Sequence, residues 1–151
     1  FNQALDYESD VDGFMQNLYR AEELEEPEKK IRALVQALSY YKGEYCPEIE
    51  DEWAQIERRA LESQLRDALS RLASLYLQLE RFPDALAVCE KMLAVDNCWE
   101  EAHRLAMQAH AATGNRAAVA RQFDTCQKVL HAEIAAEPSP QTERLYLQLM
   151  A

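Results

Sequence analysis

Three histidines, four cysteines and 27 carboxylates are the groups in this sequence with chemistry to offer. His103 and His110 lie seven residues apart and fall on one face of a helix. At the helical rise per residue they stand about 10 Å apart along the axis, too far to share one metal ion. His131 is remote from both, and completing a ligand set with Cys98 or Cys126 would need a coincidence of folding. Cys46, Cys89, Cys98 and Cys126 are widely spaced with no CxxC pair. Cys89 and Cys126 fall on apolar helix faces, which predicts free buried thiols in a reducing cytoplasm. The carboxylates come in runs, at Glu22-Glu23, Glu25-Glu26, Glu48 and Glu50 to Glu52. A hydrolase would need two of them held across a cleft, whereas runs at helix ends and in loops are solvated. Arg58-Arg59 reads as ion-paired with Glu57, Glu62 or the acidic loop, with a contact to an adjacent domain as the functional alternative. There is no GxSxG, no phosphate loop and no HExxH, and three glycines are too few for a nucleotide cradle. The expectation is a non-enzyme with no metal and no cofactor.

Charge and composition narrow the partners. The net charge of −11 opposes a phosphate backbone, whose affinity comes from Lys and Arg neutralising phosphates. It opposes anionic lipid surfaces for the same reason. A protein partner, or self-association, remains. No apolar run reaches the roughly 18 residues of a membrane span. Phe1-Asn2-Gln3 has neither a basic start nor an apolar core, so no signal peptide is read here, and the expected location is the cytoplasm.

The elements that would position these groups are helices. With 151 residues, 48% of them hydrophobic, and few Gly or Pro, the chain suits one ordered helical domain. Its centre is the stretch from Arg66 to Trp99, two antiparallel helices around a turn at Glu80–Pro83. Leu69, Leu72, Ala73 and Tyr76 line one face of the first helix, and Ala85, Cys89 and Met92 one face of the second. Length and spacing resemble the tetratricopeptide unit, a helical hairpin of about 34 residues. Glu80 stands where that unit has a turn glycine, and Asn97 where it has a closing proline. In such arrays the first helix of each pair lines a concave face. By register Asp67, Ser70, Ser74 and Gln78 belong there, followed by Glu101, Arg104 and Gln108 in the next pair, as a groove for a partner peptide or helix. His103 and His110 take that pair's large-residue and aromatic core positions.

In chain order, Phe1, Leu5 and Tyr7 read as an extended tail, and Ser9 or Asp10 can cap a first helix carrying Val11, Phe14, Met15, Leu18 and Ala21. It ends near Leu24. Pro27 opens a second helix, to about Tyr41, with Ile31, Leu34, Val35 and Leu38 inward. Gly43 and Pro47 mark an irregular connection. A long helix follows from Asp51 to Leu79, with Trp53, Ile56, Ala60, Leu61, Leu65, Ala68, Leu69, Leu72 and Tyr76 apolar. Trp53 and Trp99 open helices and are expected to pack, with an exposed Trp at an interface as the alternative. Asn97 and Glu100 match a capping box. A further hairpin runs over Glu100–Thr113 and from Asn115 to about Ile134, with Gly114 between and Val119, Phe123 and Cys126 inward. Pro138 and Pro140 break the chain, and Ser139 caps a last helix whose Leu145, Tyr146, Leu149 and Met150 cover the last pair. The fold class is therefore all-α, a tetratricopeptide-like right-handed superhelix of antiparallel pairs with about seven helices.

DVDGF, QALSYYKGEY, DEWAQIERRALESQL, EEAHRLAMQAHAATGNRAAVARQFDTC and EPSPQTERLY occur in this order along nearly the whole chain. Together they resemble the bacterial transcriptional activator domain found in SARP-type antibiotic regulatory proteins and in large signal-transduction ATPase regulators. The chain departs from that pattern at Ala106-Met107 and Ala135-Ala136, where the family tends to show Leu-Met and Leu-Gly. FNQALDYESDVDGF resembles the junction where a winged-helix DNA-binding domain runs into this module. The resemblance implies residues 1–8 as a tail from an upstream domain and 9–151 as one helical-repeat domain. It implies a non-catalytic regulatory module of a transcriptional regulator, for protein–protein interaction or dimerisation, with DNA bound by the adjacent domain. A generic tetratricopeptide scaffold unrelated to transcription is the alternative. This segment alone is expected not to retard a DNA probe at physiological salt in a gel-shift assay; tight binding would contradict the charge argument.

Overall fold

The structure is a computed structural model that describes the backbone of residues 3–41 and 50–151, with side chains from residue 8. Seven helices and no strand occur among the described residues: α1 (Gln3–Glu23), α2 (Pro27–Ser39), α3 (Glu52–Gln78), α4 (Phe82–Val95), α5 (Glu100–Ala112), α6 (Arg116–Ile134) and α7 (Pro140–Met150). The all-α class and the arrangement in helical pairs are as the periodicity predicts. The connection bearing Gly43, Cys46 and Pro47 lies outside the described residues. No described helix is long and apolar enough to cross a membrane.

The chain divides into two compact units, Phe1–Ala68 and Leu69–Ala151. In the first, α1 packs on α2. Phe14, Leu18 and Ala21 are buried on α1, and Ile31, Ala33, Leu34 and Ala37 on α2. Pro27 stands in the first turn of α2, where its missing N–H does no harm. Gly13 is required by a close approach: a Cβ there would lie 2.6 Å from the Tyr40 ring. The neighbouring Phe14 ring meets Tyr41 edge-on, with centroids 5.7 Å apart.

Three expectations fail in this unit. The opening is not an extended tail, since backbone helix begins at Gln3 and Ser9 and Asp10 lie inside α1. A short polar residue permits a helix start without imposing one. Val35 is 45% exposed, its place inside taken by the small Ala33 and Ala37. On α3, Trp53 and Ile56 are 52% and 57% exposed, Ala60 is exposed as well, and Ala54 is the fully buried residue of that stretch. Trp53 therefore does not pack inward as expected.

In the second unit α4 packs on α5, α5 on α6, and α7 against both α5 and α6. Ala85, Cys89 and Met92 are buried on α4, and Val119, Phe123 and Cys126 on α6, as their spacing predicts. α7 covers the last pair: Leu145, Tyr146, Leu149 and Met150 pack around Met107, Val119 and Phe123. The Phe123 and Tyr146 rings stack with centroids 4.0 Å apart and planes 5° from parallel. Such a pair adds roughly 0.5–1.5 kcal/mol beyond its burial. At the far end of α7 the Arg116 guanidinium donates to the Met150 carbonyl.

The two hairpin turns share one backbone solution. After α3, the Glu80 N–H bonds to the Leu77 carbonyl and the Arg81 N–H to the Tyr76 carbonyl; after α5, Gly114 bonds to Ala111 and Asn115 to His110 in the same pattern. Both turns need a left-handed residue, Glu80 at φ +58° and Gly114 at φ +76°. Glycine takes that conformation freely, whereas a side chain strains it. The Arg81 guanidinium over the Tyr76 ring, 4.8 Å from its centroid, and its bond to Asp84 help hold the Glu80 turn. Glu80→Gly is expected to stabilise the chain by about 0.5–1 kcal/mol. Gly114→Ala, whose added methyl meets nothing within 4 Å, is expected to destabilise it by about 1 kcal/mol through backbone strain. Thermal melts of both variants, with shifts of opposite sign, check this.

Candidate functional site

The candidate site is built around the start of α5. The sequence pairs Asn97 with Glu100 as a capping box, but Trp99 is the residue before the helix and no side chain caps it. The Asn97 carbonyl instead meets His103 Nε2 at 2.9 Å, and the Glu100 carboxylate turns to α7. One Glu100 oxygen accepts from the Ser139 N–H at 2.9 Å, the Ser139 hydroxyl at 2.8 Å and the Thr142 hydroxyl at 2.6 Å. Three convergent donors at a second helix start outbid the first helix's own N–H groups. Burial pushes the Glu100 carboxyl up, but the Thr142 and Ser139 bonds and the Arg104 charge outweigh it and hold it below its ordinary value. Arg104 Nη1 donates to the same Thr142 hydroxyl at 2.9 Å, so Thr142 is buried and fully bonded. Ser139 caps α7 through its bond from the Thr142 N–H, as the sequence predicts.

His103 is 1% exposed and fills a core position, as expected. Its Nδ1 lies 2.7 Å from Gln122 Nε2, a donor, so Nδ1 accepts and the proton sits on Nε2, facing the Asn97 carbonyl. Burial pushes its pKa down, against the upward pull of the Asn97 carbonyl and Glu100, so the ring is neutral at pH 7. His110 is half-buried, and burial followed by the Arg121 charge lowers it. Desolvation pushes the Cys89 thiol up to about 12 and the Cys126 thiol up to about 11, which leaves both protonated and unreactive. Cys89, Cys98 and Cys126 are all free. Among the described residues no group of three His, Cys, Asp or Glu is placed to hold a metal ion.

This latch sets α7 beside α5 and leaves an open cleft of about 490 Å³ between them. Glu101, Arg104, Leu105 and Gln108 line one wall; Gln141, Arg144, Leu145 and Gln148 line the other. Each wall follows the spacing i, i+3, i+4, i+7, so each is a single helical stripe. The two stripes are nearly the same sequence, ExxRLxxQ on α5 and QxxRLxxQ on α7. The Leu105 and Leu145 pair floors the cleft with apolar surface, and polar tips rim it. Among the described residues the side chains of Gln108, Gln141 and Gln148 make no hydrogen bond, and Arg144 bonds only the Pro140 carbonyl of its own helix, at 3.2 Å.

The sequence-predicted groove residues divide between two situations. Glu101, Arg104 and Gln108 come together in the cleft. Ser70 joins them by donating to Glu101 Oε1 at 2.5 Å, which fixes that carboxylate. Ser74 is half-buried and Gln78 exposed on α3, and neither lines the cleft; Asp67 is exposed at the end of the first unit. Register reasoning missed the α7 wall, although the repeated RLxxQ was a signal for it.

Glu100→Gln removes a charge that three donors face, and is expected to lower stability at pH 7 by roughly 1–2 kcal/mol. Because the folded carboxyl lies below its ordinary value of 4.5, its contribution is complete above that pH and is lost as pH falls through the folded value. Melting curves of the parent and variant should therefore differ at pH 7 and converge in acid. A difference independent of pH would contradict the assignment.

No curated protein matches the chain. A model of the bacterial transcriptional activator domain matches residues 9–150. The match begins inside α1 and takes in every other helix, including the Glu100 latch and both walls of the cleft. The chain therefore belongs to the family of bacterial transcriptional activator domains, a family of transcription-regulator modules.

Proposed function

We propose that this chain is a non-catalytic regulatory module that contacts a protein partner through the cleft between α5 and α7, within a regulator whose DNA contacts are made by an adjacent winged-helix domain. The observation that carries the reading is the cleft's chemistry. Three glutamine amides and a guanidinium stand along an apolar floor with donors and acceptors that the described residues leave unused. A peptide or helix from another protein would satisfy the amides with its main chain and seat an apolar side chain on Leu105 and Leu145. Family membership supports the regulatory context. The net charge of −11 supports the assignment of DNA contacts to another part of the regulator. Self-association through the same face is the special case in which the partner is a second copy.

The double substitution Gln108→Arg and Gln148→Arg fills the cleft from exposed positions that favour helix. In the full regulator it is expected to lower activated transcription in a reporter assay by roughly tenfold while leaving operator binding in gel shifts unchanged. Unchanged activation would remove the cleft from the mechanism.

A further inference from the structure

The first unit carries a second cleft, of about 390 Å³, between α1 and α2. Its lining is opposite in character to the chain as a whole. Arg20 on α1 and Lys29 and Arg32 on α2 converge there, and no carboxylate is part of the lining. Lys29 is paired with Glu26 at 3.2 Å. Arg20 and Arg32 make no ion pair or hydrogen bond among the described residues. Leu24 and Ala33 supply an apolar floor. At the other end stand two amides: Asn17, whose Nδ2 is used by the Gly13 carbonyl at 2.8 Å while its oxygen stays available, and Gln36. In a chain of net charge −11, two exposed guanidiniums that no described residue pairs converge on one trough.

We propose that this trough is a docking site for a short acidic segment of a protein partner, distinct from the α5–α7 cleft and independent of its role. Guanidinium forks match carboxylates bidentately, the amides suit a peptide main chain, and the floor takes a small apolar side chain. Size and surroundings select among anions. Lys29 to Arg32 to Gln36 spans seven helical rises, about 10 Å, the reach of about three extended peptide residues. Flanking it in sequence are the exposed carboxylates Glu22, Glu23, Glu25 and Glu28, none of which lines the trough. A nucleic acid, with a charge about every 1.7 Å along its axis, would overrun the window onto them. A lone small anion gains little, since each exposed pair is worth about 0–1 kcal/mol in water. Two carboxylates separated by an apolar residue fit the window and end within it.

The test is fluorescence anisotropy on the whole 151-residue chain at about 50 mM salt, where exposed pairs are least screened. The probe is a fluorescein-labelled peptide of about nine residues with glutamates flanking a central leucine, set against its glutamine counterpart. The glutamate peptide should bind at least roughly tenfold more tightly than the glutamine one. Arg20→Gln with Arg32→Gln should abolish that preference with helical content unchanged, whereas Lys128→Gln, whose lysine pairs with Asp124 on α6, should keep it. The proposal is overturned by equal binding of the two peptides, by no binding, or by an unaffected double variant. Displacement of the peptide by inorganic phosphate below about 1 mM would reassign the site to small anions, and tighter binding of a DNA duplex would reassign it to nucleic acid; either result also overturns it.

Discussion

One carboxylate oxygen governs the arrangement of the second unit. Glu100 stands in the first turn of α5 and accepts from the residues that start α7, so one negative charge lies against the N-terminal ends of two helices. Each of those ends presents unsatisfied N–H groups and a positive partial charge. Turned toward α7, the acid accepts from the Ser139 N–H and the Ser139 and Thr142 hydroxyls and draws together two helix starts that are separated by the whole of α6. The depressed carboxyl is the electrostatic expression of the same arrangement.

With its beginning pinned by Glu100 and its end by Arg116, α7 has little freedom to roll. The stacked rings of Phe123 and Tyr146 fix which face turns inward. The RLxxQ stripe is then directed toward its near-copy on α5. Cleft shape thus follows from core packing and one ionic latch. Arg104 and Glu101 of this cleft are spent on Thr142 and Ser70, whereas among the described residues the amides of Gln108, Gln141 and Gln148 are left without a bond.

Where the sequence carries a local chemical marker, it was legible. Pro27, Gly114, Asn115 and Ser139 each mark a helix boundary within two residues of its observed place, because each acts through its own backbone or a neighbour's N–H. Where the outcome depends on distant chain, the reading failed. Asn97-x-x-Glu100 has the pattern of a local cap, but Glu100 answers to residues about forty positions later. Ser9 and Asp10 look like starts, yet α1 runs through them. Val35 and Trp53 read as packed because they are large and apolar, but local spacing alone does not decide between opposite faces of a helix with apolar residues on both, and both are exposed. In the cleft, α5 was found from repeat register, while the α7 wall sits beyond a proline-bounded connection that breaks that register. The cationic trough has no local signature, because Arg20 and Arg32 are scattered among glutamates in sequence and converge only when α1 and α2 fold back on each other.

The packing of α4, α5 and α6 on immediate chain neighbours also bears on how quickly this unit is made. Tight left-handed turns at Glu80 and Gly114 let each hairpin close over a short loop, with a small entropic barrier. The seating of α7 on α5 and the Ser70–Glu101 bond from α3 to α5 join segments that are not successive. A topology dominated by such neighbouring contacts favours rapid folding, with growth from one pair to the next.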